Sequence, residues 1–362
     1  CFTSEEELKI IRRNQIASGQ PPRYTGIWSE ATQEDVQEEL DKGNEPVYRF
    51  RIPKNSNIAF EDLVKGEQSF STNDLDDFIV RKKDKTPTFM FANAIDDSLM
   101  DVDLVMRGDD HLSNTPRQIA LLNGLNLTLP QYAHVSLFTG SDGAPLSKRN
   151  GSLSISDLRE LGYLPIAVAN YLSRVGHTIK DNELKNYKEL GDSFETENIS
   201  SSPSKFDNDQ LLFWQKKAIE NLKIEEFIHW LSEPLKELPP YIDKQEFVEL
   251  IRENVNFPQE ARDYLVNIFF NPLDKKDDIT EIIKSAGQEF YIKACDTLLS
   301  GLSGWNEITQ EIGKRSGKKG KELFMPLRAA ITGQTKGPEL DKVVEFLGTE
   351  RVVERLKEAS KL

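Results

Sequence analysis

A chain of 362 residues exceeds one ordinary core and suits two to four domains. With 38% hydrophobic and 29% charged residues and no apolar run near the ~20 residues that cross a bilayer as a helix, no membrane-spanning helix is expected. A net charge of −14 weighs against a uniformly basic nucleic-acid binder. The two cysteines, Cys1 and Cys295, form neither a CxxC pair nor a metal spacing, which fits a reduced cytoplasm.

Charge is unevenly spread. Arg81 to Lys85, Lys148-Arg149 and Lys314 to Lys321 are local basic clusters. Such patches can hold a structured RNA while the acidic remainder repels it elsewhere. For the first and last, a solvated surface turn is an equal reading.

In chain order, Thr3-Ser4 followed by Glu6-Glu7 predicts a capping box, with Leu8, Ile11 and Ile16 near helical spacing and Gly19 as the stop. Tyr48, Phe50 and Ile52 alternate with arginines as a strand does. Phe78 to Arg81 and Thr88 to Ala92 read as two more strands around a Lys-rich turn, giving a small α+β unit to about residue 85. Val102 to Gly108 predicts a buried strand, and Ser113 or Asn114 caps a helix with Pro116 at its first position, running to about Asn123. Ala133 to Phe138 predicts another strand, so this order gives half of a parallel nucleotide-binding sheet. Ligands sit at the carboxyl ends of such strands, which marks Arg107 to His111 and the loop after Phe138. Ser200 to Ser204 reads as a linker, and from about residue 207 the pattern is helical. There Leu211, Trp214 and Ala218 share a face, as do Phe227, Trp230 and Leu231, and Tyr264, Ile268 and Phe269, with Pro239-Pro240 and Pro258 as breaks.

From the residues alone, Arg107 can clamp a carboxylate, Lys148 on a Gly-flanked loop can neutralise phosphate charge, and His111 can stack on or bond to a base. Each also reads as a surface ion pair, a solvated charge or a satisfied loop histidine.

Taken together these residues carry a resemblance. Thr86 to Met100 (TPTFMFANAIDDSLM) and Met106 to Gln118 (MRGDDHLSNTPRQ) resemble the signatures of bacterial-type glutamyl-tRNA synthetases. Leu146-Ser147-Lys148-Arg149 is similar to the second class I signature, the Lys-Met-Ser-Lys-Ser loop in its Lys-Leu-Ser-Lys-Arg form. Gly162-Tyr163-Leu164-Pro165, Asn170-Tyr171-Leu172 and Met325 to Gly333 resemble the segments that follow, and Cys1 to Gly26 the acceptor-binding insertion.

The resemblance implies an α/β plus all-α fold: a partial class I nucleotide-binding fold with an α+β insertion, then a helical anticodon-binding domain. The expected divisions are 1–85, the insertion; 86–144, the second half of the catalytic fold; 145–206, the signature loop and stem-contact region; and 207–362, two helical sub-bundles with a break near 275. It implies ATP-dependent ligation of glutamate to tRNA through glutamyl-adenylate, with Mg²⁺ accompanying ATP. Lys148 serves the phosphate charge within the loop Pro145, Leu146, Ser147, Lys148 and Arg149. Asp110, His111, Leu137 and Phe138 line the ATP site, the last two through backbone at the adenine edge. Phe89, Asn93 and Arg107 contact glutamate. Lys314, Arg315, Lys318, Lys319, Lys321 and Arg328 are candidate tRNA contacts, while Trp214, Trp230 and Trp305 read as core. The expected partners are glutamate, tRNA(Glu) and, on a second likeness in Ala144 to Ser154 and Ser201 to Asp207, tRNA(Gln). A monomer is the family expectation.

Four departures stand out. No His-x-Gly-His occurs, so the expectation is that the first nucleotide-binding half lies outside this chain and that the piece alone does not activate glutamate. The alternative is a non-catalytic tRNA-binding paralogue. Phe89 stands where many members have tyrosine, and Pro145 replaces the first lysine of the loop. Thr3 and the stretch Trp28 to Glu30 take the places of zinc ligands found in some members, so no zinc is expected.

Overall fold

The computed structural model describes every residue except 25, 141, 142, 145, 147–153, 271, 272 and 274–276, and at 277 the backbone alone. The signature-loop residues Pro145, Ser147, Lys148 and Arg149, and the break expected near 275, therefore lie outside the described residues. The chain divides into two compact units: Cys1–Asn150 with Ser173–Asp181 and Leu190–Phe206, and Gly151–Leu172 with Asn182–Glu189 and Asp207–Leu362.

The first unit opens with α1 (Glu5–Ala17). The Ser4 hydroxyl accepts from the Glu7 amide at 3.2 Å and the Glu7 carboxylate accepts from the Ser4 amide at 2.7 Å, which closes the expected capping box. Helix α2 (Gln33–Asp41) starts with the same device at Thr32 and Asp35. Then come β1 (Tyr48–Phe50), β2 (Asn57–Asp62), β3 (Gly66–Ser71) and β4 (Phe78–Arg81), with β1 antiparallel to β4.

The strand expected over Thr88 to Ala92 is instead a helix start. Thr88 is extended, at φ −85° and ψ 160°, and α3 runs Phe89–Leu99. A five-residue apolar run cannot separate strand from helix. Over a longer window Met90, Phe91, Ala94 and Ile95 recur at helical spacing and pack against Ile52, Phe78, Leu121 and Leu122.

The remaining elements of the unit are β5 (Leu104–Gly108), α4 (Thr115–Gly124), β6 (Gln131–Val135), β7 (Phe138–Thr139) and β8 (Ser204–Lys205). The expected parallel pair is present as β5 beside β6, and the sheet order is β3-β2-β6-β5. The β2–β3 hairpin, which the sequence reading passed over, thus supplies half of the strands. Two differences follow at the strand ends. Phe138 leaves β6 to pair through β7 with Ser204 in β8, so Ser204 is part of a ladder rather than a linker. Pro116 occupies the second position of α4, and Asn114 makes no side-chain cap.

The second unit is helical: α5 (Ile155–Leu161), α6 (Pro165–Leu172), the first half of α7 (Tyr187–Asp192), α8 (Asn208–Glu220), α9 (Ile224–Trp230), α10 (Lys244–Ile251), α11 (Pro258–Phe269), α12 (Asp277–Ala286), α13 (Gln288–Leu298), α14 (Trp305–Ser316), α15 (Lys321–Thr332) and α16 (Leu340–Ala359), the last bent at Gly348. Helical spacing predicts its core well. Leu211, Trp214 and Ala218 are all buried, as are Phe227, Leu231, Tyr264 and Ile268. Pro258 opens α11 rather than breaking it, since the first turn has no internal donor to lose. No helix among the described residues is long and apolar enough to cross a membrane.

Candidate active site

The parallel register sets Arg107, near the carboxyl end of β5, beside His134 in β6. Its guanidinium is fixed on two sides. Nε donates to His134 Nε2 at 3.2 Å, and Nη2 donates to Thr115 Oγ1 at 2.8 Å and Gln118 Oε1 at 2.7 Å. Nη1 bonds no other described residue. Burial pushes the Arg107 pKa down, against the pull of Tyr132, Asp97 and Asp110.

Behind it, His134 and Asp62 are 0% and 1% exposed. Asp62 Oδ2 accepts from His134 Nδ1 at 2.6 Å, and Oδ1 accepts from the amides of Val64 and Lys65 at 3.0 and 2.8 Å. An arginine Nε can only donate, so His134 Nε2 is the acceptor and the ring proton sits on Nδ1. Burial alone would raise the Asp62 carboxyl, but the hydrogen bonds from His134, Lys65 and Val64 outweigh it and hold it below its ordinary value. Burial also lowers His134, against the pull of Asp62. Both partners lowered means an ionised carboxylate bonded to a neutral imidazole, not an ion pair.

Asn93 joins through one intermediary: Gln118 Nε2 donates to Asn93 Oδ1 at 3.2 Å. This leaves the Asn93 amide nitrogen as a donor. Phe89 is 52% exposed, with its ring 5.3 Å from that of His111. The three expected glutamate positions therefore gather at the start of α3 and the end of β5.

Two of the ATP expectations, Asp110 and Leu137, meet at Gly108. A β-carbon built there would lie 2.4 Å from Asp110 Oδ1 and 3.0 Å from Leu137 Cδ2, so a side chain at this position would displace the Asp110 carboxylate and press on Leu137. Asn114 Nδ2 lies 3.0 Å from His111 Nδ1, a use of Asn114 that replaces the expected cap. The Leu137 backbone makes no hydrogen bond to another described residue, whereas the Phe138 carbonyl accepts from the Leu146 amide at 3.0 Å. Lys65, absent from the sequence expectations, donates to Asp109 Oδ2 at 3.0 Å, Ser136 Oγ at 2.8 Å and the Ser201 carbonyl at 2.6 Å. It ties the hairpin to both site loops. Asp62, Lys65, Thr115, Gln118 and His134 are the residues to which sequence reasoning assigned no role.

At the positions considered for zinc from the sequence, Cys1 Sγ lies 3.4 Å from Thr3 Oγ1 and 3.2 Å from the Tyr24 hydroxyl, which accepts from the Trp28 amide at 3.2 Å. Among the described residues no group of three or more His, Cys, Asp or Glu could hold a metal ion.

In the second unit, Lys314, Lys318, Lys319 and Lys321 lie together at the turn from α14 to α15. Arg315 pairs with Glu311 at 2.7 Å. Arg328 is set apart: half-buried, it donates to the Pro338 carbonyl at 2.8 Å. Trp214 is buried, and Trp230 and Trp305 pack against the core.

Comparisons with known proteins agree with this architecture. Residues 1–213 match the family described as tRNA synthetases class I (E and Q), catalytic domain, and residues 223–360 match the anticodon binding domain. Glutamate--tRNA ligase 1 of Halorhodospira halophila is 45% identical over 362 residues, covering 100% of this chain and 76% of that protein. Glutamate--tRNA ligase 2 of Nitrosococcus oceani is 42% identical, covering 99% and 76%. In fold, the chain superposes with a TM-score of 0.82 and 23% identity on a glutamate tRNA ligase from Elizabethkingia meningosepticum solved in complex with its amino acid, covering 100% of this chain and 78% of that one. The chain belongs to the glutamate--tRNA ligase family of class I aminoacyl-tRNA synthetases, its catalytic domain followed by a helical anticodon-binding domain.

Proposed function

We propose that the protein joins glutamate to tRNA in two steps. The glutamate α-carboxylate attacks the α-phosphorus of ATP, forming glutamyl-adenylate and releasing pyrophosphate. A hydroxyl of the 3′-terminal adenosine of tRNA then takes the glutamyl group and releases AMP. No bond to the protein forms, so the protein's part is to place two anions and stabilise the charge between them.

The observation that carries this reading is Arg107. It sits at the carboxyl end of a parallel strand, where such sheets bind ligands. It is fixed through Nε and Nη2 and linked by Gln118 to Asn93. A guanidinium edge and an amide donor suit a carboxylate, which only accepts. In the same reading Phe89 flanks the glutamate chain, Asp110 and His111 line the ATP site, and the Leu137 and Phe138 backbone meets adenine. Lys148 meets the phosphates, and magnesium rides on the nucleotide rather than on a protein carboxylate cluster. The α14–α15 turn meets tRNA through Lys314, Lys318, Lys319 and Lys321.

The test is glutamate-dependent ATP–pyrophosphate exchange by the intact gene product. Arg107→Ala raises the KM for glutamate about tenfold to a hundredfold, the worth of a charged hydrogen bond, with the KM for ATP unchanged. Lys148→Ala lowers kcat about a hundredfold or more. An unchanged glutamate KM in Arg107→Ala would overturn the glutamate assignment. Charging assays with tRNA(Glu) and tRNA(Gln) decide the range of tRNA accepted.

A further inference from the structure

We propose that Asp62 and His134 are positioning residues for glutamate recognition: Asp62 fixes which nitrogen of His134 carries the proton, and His134 thereby fixes the guanidinium of Arg107. This rests on Arg107 being the glutamate ligand.

The chain of contacts runs through three strands. Asp62 ends β2, His134 lies in β6 and Arg107 in β5. Asp62 cannot turn away, because its two oxygens accept from the Val64, Lys65 and His134 amides as well as from the His134 ring. A carboxylate has no proton to give, so it selects the Nδ1–H form of His134. That form presents a lone pair on Nε2, which takes the Arg107 Nε–H and stands 3.0 Å from the Thr115 hydroxyl. With Nε held by His134 and Nη2 by Thr115 and Gln118, the plane of the guanidinium is set and Nη1 is the group left for substrate. The opposite tautomer would place Nε2–H against Arg107 Nε–H, two donors with nothing between them. Outer groups that orient a ligating side chain commonly matter almost as much as the ligand itself, and an acid that selects a histidine tautomer has that effect in hydrolases.

The substitution that isolates this role is Asp62→Asn. It keeps shape but places an N–H where Oδ2 was, so His134 Nδ1 becomes the acceptor and the proton moves to Nε2. The experiment uses the intact gene product and four variants: Asp62→Asn, His134→Gln, His134→Leu and Arg107→Ala. Glutamine offers an amide N–H and a carbonyl oxygen at nearly the separation of the two imidazole nitrogens, so it can serve Asp62 and Arg107 together. The expected result is a glutamate KM raised about tenfold or more in Asp62→Asn and His134→Leu, with the ATP KM unchanged and His134→Gln close to the unsubstituted protein. Long-range ¹⁵N NMR of the imidazole is expected to place the proton on Nδ1, and on Nε2 in Asp62→Asn.

Several outcomes would overturn the inference. One is a proton on Nε2 in the unsubstituted protein, which needs no variant to fold. Another is an unchanged glutamate KM in Asp62→Asn while Arg107→Ala raises it, which leaves the glutamate assignment standing and removes only the positioning role. A third is an Asp62→Asn that loses melting temperature and raises both KM values alike, which makes the pair structural only. An unchanged glutamate KM in Arg107→Ala removes the underlying reading itself.

Discussion

The indole nitrogen of Trp230 donates to the carbonyl of Gly162 at 2.9 Å, joining the end of α9 to the turn between α5 and α6. Gln215, fully buried, meets the same carbonyl with Nε2 at 3.2 Å and also bonds the Asn256 carbonyl and the Leu164 amide. Gly162 can serve as this hub because its φ is 92° and a β-carbon there would lie 2.4 Å from Pro258 Cδ. Gly162→Ala therefore adds both backbone strain and a clash, and is expected to cost about 1–3 kcal/mol. Urea unfolding followed by tryptophan fluorescence reads this directly. An unchanged midpoint would mean that the turn has another conformation available.

The sequence made the helical unit legible because its apolar residues repeat at helical spacing over long windows, so Leu211, Trp214 and Ala218 could be placed inside from the pattern alone. Arg107, Asn93 and His111 could be nominated as site residues because they lie in two short runs with a family likeness. The supports behind Arg107 were not. Asp62 and His134 are 72 residues apart, and only the order of strands brings them together. The signals were present: Ile58 and Phe60 stand two apart, at strand spacing, between Asn57 and Glu61 ahead of Asp62, and a lone histidine interrupts the apolar Tyr132 to Val135. Neither signal names its partner. Thr88 to Ala92 failed for a different reason, since a window that short carries no period.

Arg355 is 2% exposed and serves the ends of two helices. Its Nη2 donates to the Asn267 carbonyl near the end of α11 at 3.1 Å, and Nε donates to the Ile331 carbonyl near the end of α15 at 3.3 Å. Carbonyls at helix ends lack internal partners, and a cation there also meets the favourable end of the dipole. Burial pushes the Arg355 pKa down to about 10, which leaves it charged at neutral pH. Arg355→Met keeps the bulk but removes the buried donors to these two carbonyls and the pair with Glu358 at 3.6 Å, at an expected cost of about 2–4 kcal/mol. Arg355→Lys cannot span both carbonyls and is expected to fall between. Thermal unfolding of both variants checks the order, and a methionine variant as stable as the original would mean that water or another donor takes over.

The Asp62–His134 pair makes the first unit sensitive to acid. The groups facing His134 are Asp62 from β2, Arg107 from β5 and, at longer range, His111. Its folded pKa lies below the ordinary 6.5, so the unfolded chain binds the proton more tightly. The stability this confers is complete above the unfolded value and is lost as pH falls through the folded one. Asp62 has the same sign, its folded value lying below 3.8. Stability is thus expected to fall in two stages on acidification, the first beginning near the ordinary histidine value. His134→Gln removes the first stage and leaves the second. Denaturant midpoints across pH for the two proteins check this. A midpoint that rises as pH falls through the histidine range would mean that His134 is charged in the fold and paired with Asp62.

Phe89 offers a gain-of-function prediction. It begins α3 half-exposed, with His111 on one side and Asn93 one helical turn along, at the position where the family likeness leads one to expect tyrosine. Phe89 is 52% exposed, so a ring of the same shape with a hydroxyl is expected to fit without repacking the core. The hydroxyl adds a donor for the glutamate carboxylate, worth about 1 kcal/mol when well placed. Phe89→Tyr is therefore expected to lower the glutamate KM several-fold and to leave the ATP KM and the melting temperature unchanged. A glutamate KM that stays the same would place Phe89 outside the amino-acid pocket. One that rises would mean that the pocket around Phe89 is adapted to an apolar edge and that the added hydroxyl loses its water without finding a partner.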